Sequence, residues 1–308
     1  MALAIITAKQ VFELLLMILA GVICCKTGIF KPAEKAVLSN ILIYLVVPAM
    51  VIHSYLVEFD PRTFHNLLAT FALSLLTLLI GLIAAFLATK RVAKEERAII
   101  RFACGFSNAA YMGFPLIRAL FGSEGLLYAS AFVTVFNILL WTLGYGMVSG
   151  KTQMREVFHS ILTCPCILAV LVGLFLYLGR IPVPELLADP LGTIGDMNTP
   201  LSMLITGATI ASSNLRHLLK NRSLFLTLAL RLFFVPAMTL AVFALLGFHG
   251  TVPTIVLLLE ACPCAAITTL FAIQFHHDEE LAAGAVVFST LASTLTLPIY
   301  AFVLTVLL

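Results

Sequence analysis

From residue 8 to its end the chain is a succession of apolar runs of about 20 residues, separated by short clusters of charge, Pro and Gly. That length matches a helix crossing the hydrocarbon core of a bilayer, whereas barrel strands would alternate over about ten residues. In lipid every backbone polar group must be satisfied within its own segment, which makes such runs helices. Composition agrees: 61% of the 308 residues are hydrophobic and 11% charged, against roughly 25% charged in a soluble domain. The reading is an all-α membrane protein with the bilayer as its main partner and no role for nucleic acid.

Ten transmembrane helices are predicted, at roughly 8–28, 36–57, 66–89, 97–121, 125–149, 157–179, 190–212, 223–248, 252–274 and 281–307. No long polar segment interrupts them. Lys9 is followed by a long run containing Glu13, with no suitable cleavage site, so the first helix is expected to be retained. The seven cysteines are odd in number and mostly lie within apolar runs, and the two CPC triplets, Cys164–Cys166 and Cys262–Cys264, lack the spacing of metal or redox motifs. They read as small residues filling helix contacts. No cofactor and no metal site is expected.

Orientation follows from Lys and Arg. The loops after runs one, three, five and seven hold Lys26, Lys31, Lys35, Lys90, Arg91, Lys94, Arg97, Lys151, Arg155, Arg216, Lys220 and Arg222, while the other side holds Lys9, Arg62 and Arg180. The positive-inside rule then places both termini outside the cell (inner) membrane. Five spans per half means that two similar halves, 1–150 and 151–308, insert in opposite senses. Pro48 answers Pro200, Pro115 answers Pro263, and VFN from Val135 answers VFS from Val287. Two inverted five-helix repeats are a transporter architecture whose site forms where interrupted helices meet near the midplane.

Two runs are candidates for interruption. Run four reads IIRFACGFSNAAYMGFPLIRALFG and run nine IVLLLEACPCAAITTLFAIQF. Proline removes a donor and glycine weakens the helix, and backbone groups freed in hydrocarbon cost several kcal/mol each unless satisfied. A half-helix that starts after such a break presents free N–H groups and the positive end of its dipole, which suits an anion. Asn108 is then either a ligand contact supplying amide donors or a cap on its own broken backbone.

The segment SNAAYMGFPL, with Asn108, Gly113 and Pro115, resembles the crossover of the auxin efflux carrier family, which includes plant PIN auxin exporters and bacterial malate or malonate permeases. RLFFVP from Arg231, EACPCAAITTLFAIQF around Pro263 and STLASTLTLP ending at Pro298 are similar to its last three helices, and NTPLSMLITGATIA from Asn198 to its seventh. The resemblance implies the crossed-helix fold shared with bile-acid transporters and sodium/proton antiporters. It implies a homodimer, a moving core of helices 3–5 and 8–10, and a scaffold of helices 1, 2, 6 and 7. It assigns substrate binding to Asn108, crossover roles to Pro115 and Pro263, and a looser polar contact to Asn198. The long central loop of the plant exporters is missing from this chain.

Ionisable residues within spans are functional candidates because they are costly there. Arg118 lies three residues after Pro115 and Glu260 three before Pro263. That counting puts both about one turn outward of their breaks, so they are expected to pair, as a fixed structural pair or as a proton- and anion-handling one. His53 reads as a packing residue or a titrating one, Asp196 as a cap or a coupling group, and Arg231 as structural or an inner-gate contact. HHDEE, His276–Glu280, reads as a solvated loop.

Taken together, Asn108, Gly113, Pro115, Arg118, Asn198 and Pro263 are the expected substrate-binding set, with Glu260, Asp196, His53 and Arg231 as coupling or gating candidates. The expected activity is secondary transport of a small organic anion, a carboxylate such as malate, malonate or an auxin-like acid. Coupling would be to H+, with Na+ coupling, uncoupled flux or a non-transporting receptor as alternatives. No P-loop, HExxH, GxSxG or Asp-rich diphosphate motif points to an ATPase or an enzyme.

Overall fold

A computed structural model describes residues 2–31, 34–150, 159, 162–212 and 221–307. Lys151, Arg155, Arg216 and Lys220 of the charge argument, and the start of run six, lie outside them. Six helical runs are long and apolar enough to cross a membrane: Leu3–Lys26, Lys35–Ser54, Pro61–Ala88, Ala109–Ser149, Arg222–Leu246 and Glu279–Val306. The remaining expected runs take other forms. Run six appears as the shorter apolar helix Pro165–Leu178. Run seven is two helices parted only at Met197, beginning earlier than expected, at Glu185. Run nine is divided into Thr251–Glu260 and Ile267–Gln274.

In chain order the helices are α1 (Ala2–Lys26), α2 (Lys35–Ser54), α3 (Pro61–Ala88), α4 (Lys94–Gly105), α5 (Ala109–Ser149), α6 (Pro165–Leu178), α7 (Glu185–Asp196), α8 (Asn198–Ala211), α9 (Arg222–Leu246), α10 (Thr251–Glu260), α11 (Ile267–Gln274) and α12 (Glu279–Leu307). Helix α3 starts as its sequence demands. Asp60 accepts from the Thr63 backbone N–H at 2.8 Å, Pro61 takes the first helical position, and those bonds hold the Asp60 carboxyl below the usual carboxylate range. Helix α5 turns sharply at Gly122, whose φ of 63° only glycine adopts readily. This turn is the boundary expected between runs four and five.

Three helical prolines share one local solution. Pro48, Pro115 and Pro236 each follow a π-helical turn, at Leu42–Val46, Ala109–Gly113 and Leu230–Phe234. A wider turn relieves the clash of the proline ring with the carbonyl one turn back, so the run continues past the proline.

Glycines decide which helices approach closely. Helix α1 packs along α8, where a Cβ on Gly207 would lie 2.2 Å from the Ile18 carbonyl oxygen and one on Gly21 would lie 2.7 Å from that of Leu204. Helix α2 sits against α6 and α7 in the same manner. Gly173 lies under the Tyr55 ring, Gly195 against the Met50 backbone, and Gly192 under the His53 ring. A second group packs α3 against α4, α5 and α10, with α12 against α9 and α11. Small residues at such contacts let backbones meet, the main source of cohesion between helices in lipid.

Gly207→Val is therefore expected to lower the thermal unfolding temperature in detergent by several degrees, following an overpacking cost of about 1–3 kcal/mol. Leu245→Ala, at an outward-facing position 86% exposed, should leave it within about one degree. Equal shifts in a melting scan would contradict the close α1–α8 contact.

Candidate functional site

Helix α4 ends at Gly105 and α5 starts at Ala109, leaving Phe106, Ser107 and Asn108 outside any helix. Helix α10 ends at Glu260 and α11 starts at Ile267. The two interruptions meet. Ser107 and Cys264 form an antiparallel bridge, in which the Asn108 N–H donates to the Pro263 carbonyl at 2.7 Å and the Ala265 N–H donates to the Phe106 carbonyl at 3.0 Å. Each break thus satisfies backbone groups of the other, as buried amides and carbonyls require. Cys264 adds a third tie, donating its N–H to Ser289 Oγ on α12 at 2.9 Å.

Behind the bridge stands Arg231 of α9, with no exposed surface. Its guanidinium donates to the Cys104 carbonyl at 2.8 Å, the Cys262 carbonyl at 3.1 Å and Glu260 Oε1 at 3.1 Å. Those carbonyls belong to the C-terminal end of α4 and to the stretch just after α10, where helix dipoles leave partial negative charge. Arg231 therefore neutralises two helix ends and one buried carboxylate together. Gly81 of α3 makes room: a Cβ there would lie 3.2 Å from Glu260 Oε1. Glu260 Oε2 and Arg231 Nη2 have no partner among the described residues.

On the other side of the bridge the Asn108 carbonyl accepts from the N–H groups of Met112 and Gly113. The amides of Ala109, Ala110 and Tyr111 are left without an intrahelical acceptor, so this is the positive start of α5. Asn108 is 5% exposed. With Tyr111, Thr206 and Thr209 of α8, and Thr290 of α12, it lines a cavity of about 10 Å³. That volume is about one water molecule, so an organic acid enters only if α8 and the crossover separate.

The expected set is only partly brought together. Asn108 and Pro263 meet in the bridge, and Gly113 lies beside Leu259 and Cys262, where its missing side chain leaves room for the Leu259 methyl. The crossing lies at Ser107 and Cys264, so Pro115 sits within the helical run that follows. Asn198 starts α8 and does not line the Asn108 cavity; it lies eight residues before Thr206, about 12 Å along the axis. It is 2% exposed, and both its amide atoms lack partners among the described residues.

The expected Arg118–Glu260 pair does not form. Arg118 pairs with Asp196 at the end of α7, both partly exposed, and Glu260 pairs with Arg231. Counting from the prolines misjudged the depth. Measured from the true crossing, Arg118 is eleven residues along the chain and Glu260 only four. Arg231 is thus a central residue of the crossover, which its place in an apolar run did not reveal. Gly81, Ser289, Thr206 and Thr290 carried no sequence signal either, because isolated small polar residues are common in helix contacts. His53 packs over Gly192 of α7. In HHDEE, His277 bonds the Val148 carbonyl through Nε2 and Asp278 caps the Leu281 N–H. All seven cysteines are free, and no group of metal-ligating residues occurs among the described residues.

Comparison with known proteins gives a consistent result. Residues 6–162 and 154–301 match the family described as membrane transport protein. The chain is 25% identical over 302 residues to an uncharacterized transporter of Methanothermobacter thermautotrophicus, covering 97% of this chain and 98% of the relative. It is 21% identical over 305 residues to an uncharacterized transporter of Methanocaldococcus jannaschii, covering 96% and 97%.

The buried pair yields a stability prediction. Arg231→Met leaves Glu260 as an unpaired buried charge and two helix ends uncapped, at a cost of about 3–5 kcal/mol. Adding Glu260→Leu should recover part of that loss, measured by thermal unfolding, but not the part due to the carbonyls of Cys104 and Cys262. A double variant no more stable than the single one would contradict the pairing.

Proposed function

The chain belongs to the membrane transport protein family, the auxin efflux carrier family its motifs resemble, and from that premise we propose that it is a secondary carrier of small organic anions. The protein is a multi-pass membrane protein of a transporter family; the substrate, mechanism and coupling are our reading. The observation that carries it is the crossover itself. The positive start of α5, where three amides have no intrahelical acceptor, adjoins a cavity lined by Asn108 and Tyr111 and, on α8, by Ile205, Thr206, Thr209 and Ile210. Such a site suits a carboxylate, held by dipoles and amide donors without the cost of a permanent buried charge.

In this reading ten spans form two inverted repeats with both termini outside. The core of α3–α5 and α9–α12 moves against a scaffold of α1, α2 and α6–α8, as a homodimer of the kind the family resemblance implies. The Arg118–Asp196 pair joins α5 of the core to α7 of the scaffold at a partly exposed position. An exposed pair of this kind contributes at most about 1 kcal/mol, so it breaks readily and serves as a gate contact. Arg118 released from Asp196 would offer a second positive group, favouring dicarboxylates such as malate or malonate. Asn198, buried with both amide atoms unclaimed among the described residues, is the second polar contact along the path.

Arg231 also bears on the coupling ion. Crossover carriers that use sodium hold it with unwound carbonyls and half-helix C-termini. Here that place is filled by a guanidinium bonded to both carbonyls and to Glu260. A guanidinium in that place supports a carrier that works without Na+. A proton remains the coupling candidate, through Glu260, whose Oε2 has no partner among the described residues.

In proteoliposomes, malonate or malate uptake by the wild type should be unchanged when Na+ is replaced by choline, and Asn108→Ala should reduce uptake at least tenfold. Glu260→Gln should retain substrate exchange while losing its response to an imposed pH gradient. Uptake that requires Na+, or that persists in Asn108→Ala, would overturn the corresponding part of the reading.

A further inference from the structure

A second and more spacious cavity lies away from the crossover. It has a volume of about 450 Å³ and opens where the end of α3, the start of α4 and the end of α5 meet. Its polar side is a stripe of Lys94, Arg97 and Arg101, spaced three and four residues apart and so aligned on one face of α4. Its other side is apolar, with Phe86, Leu143 and Met147. No carboxylate is among its described lining residues.

Two of the three cations are fixed in place. Arg101 donates from Nε to Thr89 Oγ1 at 2.8 Å, and its guanidinium lies 4.1 Å from the centre of the Phe86 ring. Arg97 donates to the carbonyls of Lys90 and Val92. The Nη atoms of Arg101, Nη1 of Arg97 and the exposed Lys94 ammonium have no acceptor among the described residues. The neighbouring Glu96 is engaged elsewhere, by Ser223. Three gathered positive charges with spare donors call for an anion, and none is supplied by the described protein.

The position names the kind of anion. Helix α3 has 28 residues, about 42 Å, longer than the hydrocarbon core of about 30 Å. Phe86 in its last turn thus lies near the membrane–water boundary. The residues beside the cavity that face outward are apolar: Ile83, Leu87 and Leu143 are 56%, 56% and 47% exposed. A ligand here would have its charge among the three cations and its apolar part along that outward wall. We propose that this cavity binds the phosphate headgroup of an anionic phospholipid, with its acyl chains against α3 and α5. Basic pockets between helices at this depth have that chemistry. The lipid would brace α4, the first half of the broken helix, independently of what the crossover carries.

The test uses purified full-length protein and measures thermal stabilisation by dioctanoyl phosphatidylglycerol, dioctanoyl phosphatidylcholine, inorganic phosphate and malonate. The phosphatidylglycerol should stabilise, and the other three should not act through this cavity. Lys94→Gln touches no fixed contact and should weaken the phosphatidylglycerol effect about fivefold, with Lys94→Gln/Arg101→Gln weakening it further. Should the double variant fold poorly, Lys94→Gln alone decides. Equal stabilisation by both lipids would reduce the cavity to a hydrophobic groove. A response to inorganic phosphate or malonate that Lys94→Gln removes would make it a soluble-anion site. No effect of Lys94→Gln on any ligand would place lipid binding elsewhere. Each of these three results overturns the proposal.

Discussion

The whole arrangement depends on how two broken helices satisfy each other. A helix interrupted inside an apolar bundle leaves amides and carbonyls that lipid cannot solvate, each costing several kcal/mol. In this chain the costs offset one another: the Phe106 and Pro263 carbonyls receive the N–H groups of Ala265 and Asn108, and Ser289 receives that of Cys264. What the bridge cannot satisfy is divided by charge. Arg231 takes the negative ends, and the positive start of α5 is left beside a small, mostly apolar cavity that Asn108 lines. Function, in this account, is the unsatisfied half of a structural problem.

That division explains why a buried arginine and glutamate coexist in an apolar core. Pairs of this kind are weak stabilisers compared with packed apolar residues, because desolvation offsets their attraction. Arg231 does more than pair with Glu260. By bonding carbonyls from both interruptions it fixes their relative position, and the glycine at position 81 gives the carboxylate its space. The close glycine contacts hold other helix pairs: Gly21 with Gly207, and Gly173, Gly192 and Gly195 around α2. Cohesion thus comes from small residues at helix contacts and from polar bonds at the crossover.

Much of this was legible in the chain itself. Apolar run length announced a helical membrane protein, Asn108 and Pro263 marked the neighbourhood of the two breaks, and the motif with Gly113 and Pro115 pointed to the family. The exact crossing was not legible. Proline is conspicuous in a sequence, but the chain crosses at Ser107 and Cys264, and Pro115 is absorbed by a π turn within a continuing helix. The partner of Glu260 was misjudged for the same reason, since residue counting gives depth only from a correct origin and says nothing of which side of a helix a residue faces. Arg231 was recognised as part of a family pattern, while its contacts with two distant carbonyls belong to tertiary structure alone.

The central claim is that an organic anion binds at the start of α5 beside Asn108. A structure determined in the presence of saturating malonate tests it most directly. The account predicts density for a carboxylate within hydrogen-bonding distance of the Asn108 carboxamide and the amides of Ala109–Tyr111, with α8 withdrawn to enlarge the cavity. Malonate bound away from Asn108, with the crossover cavity still closed, would contradict it.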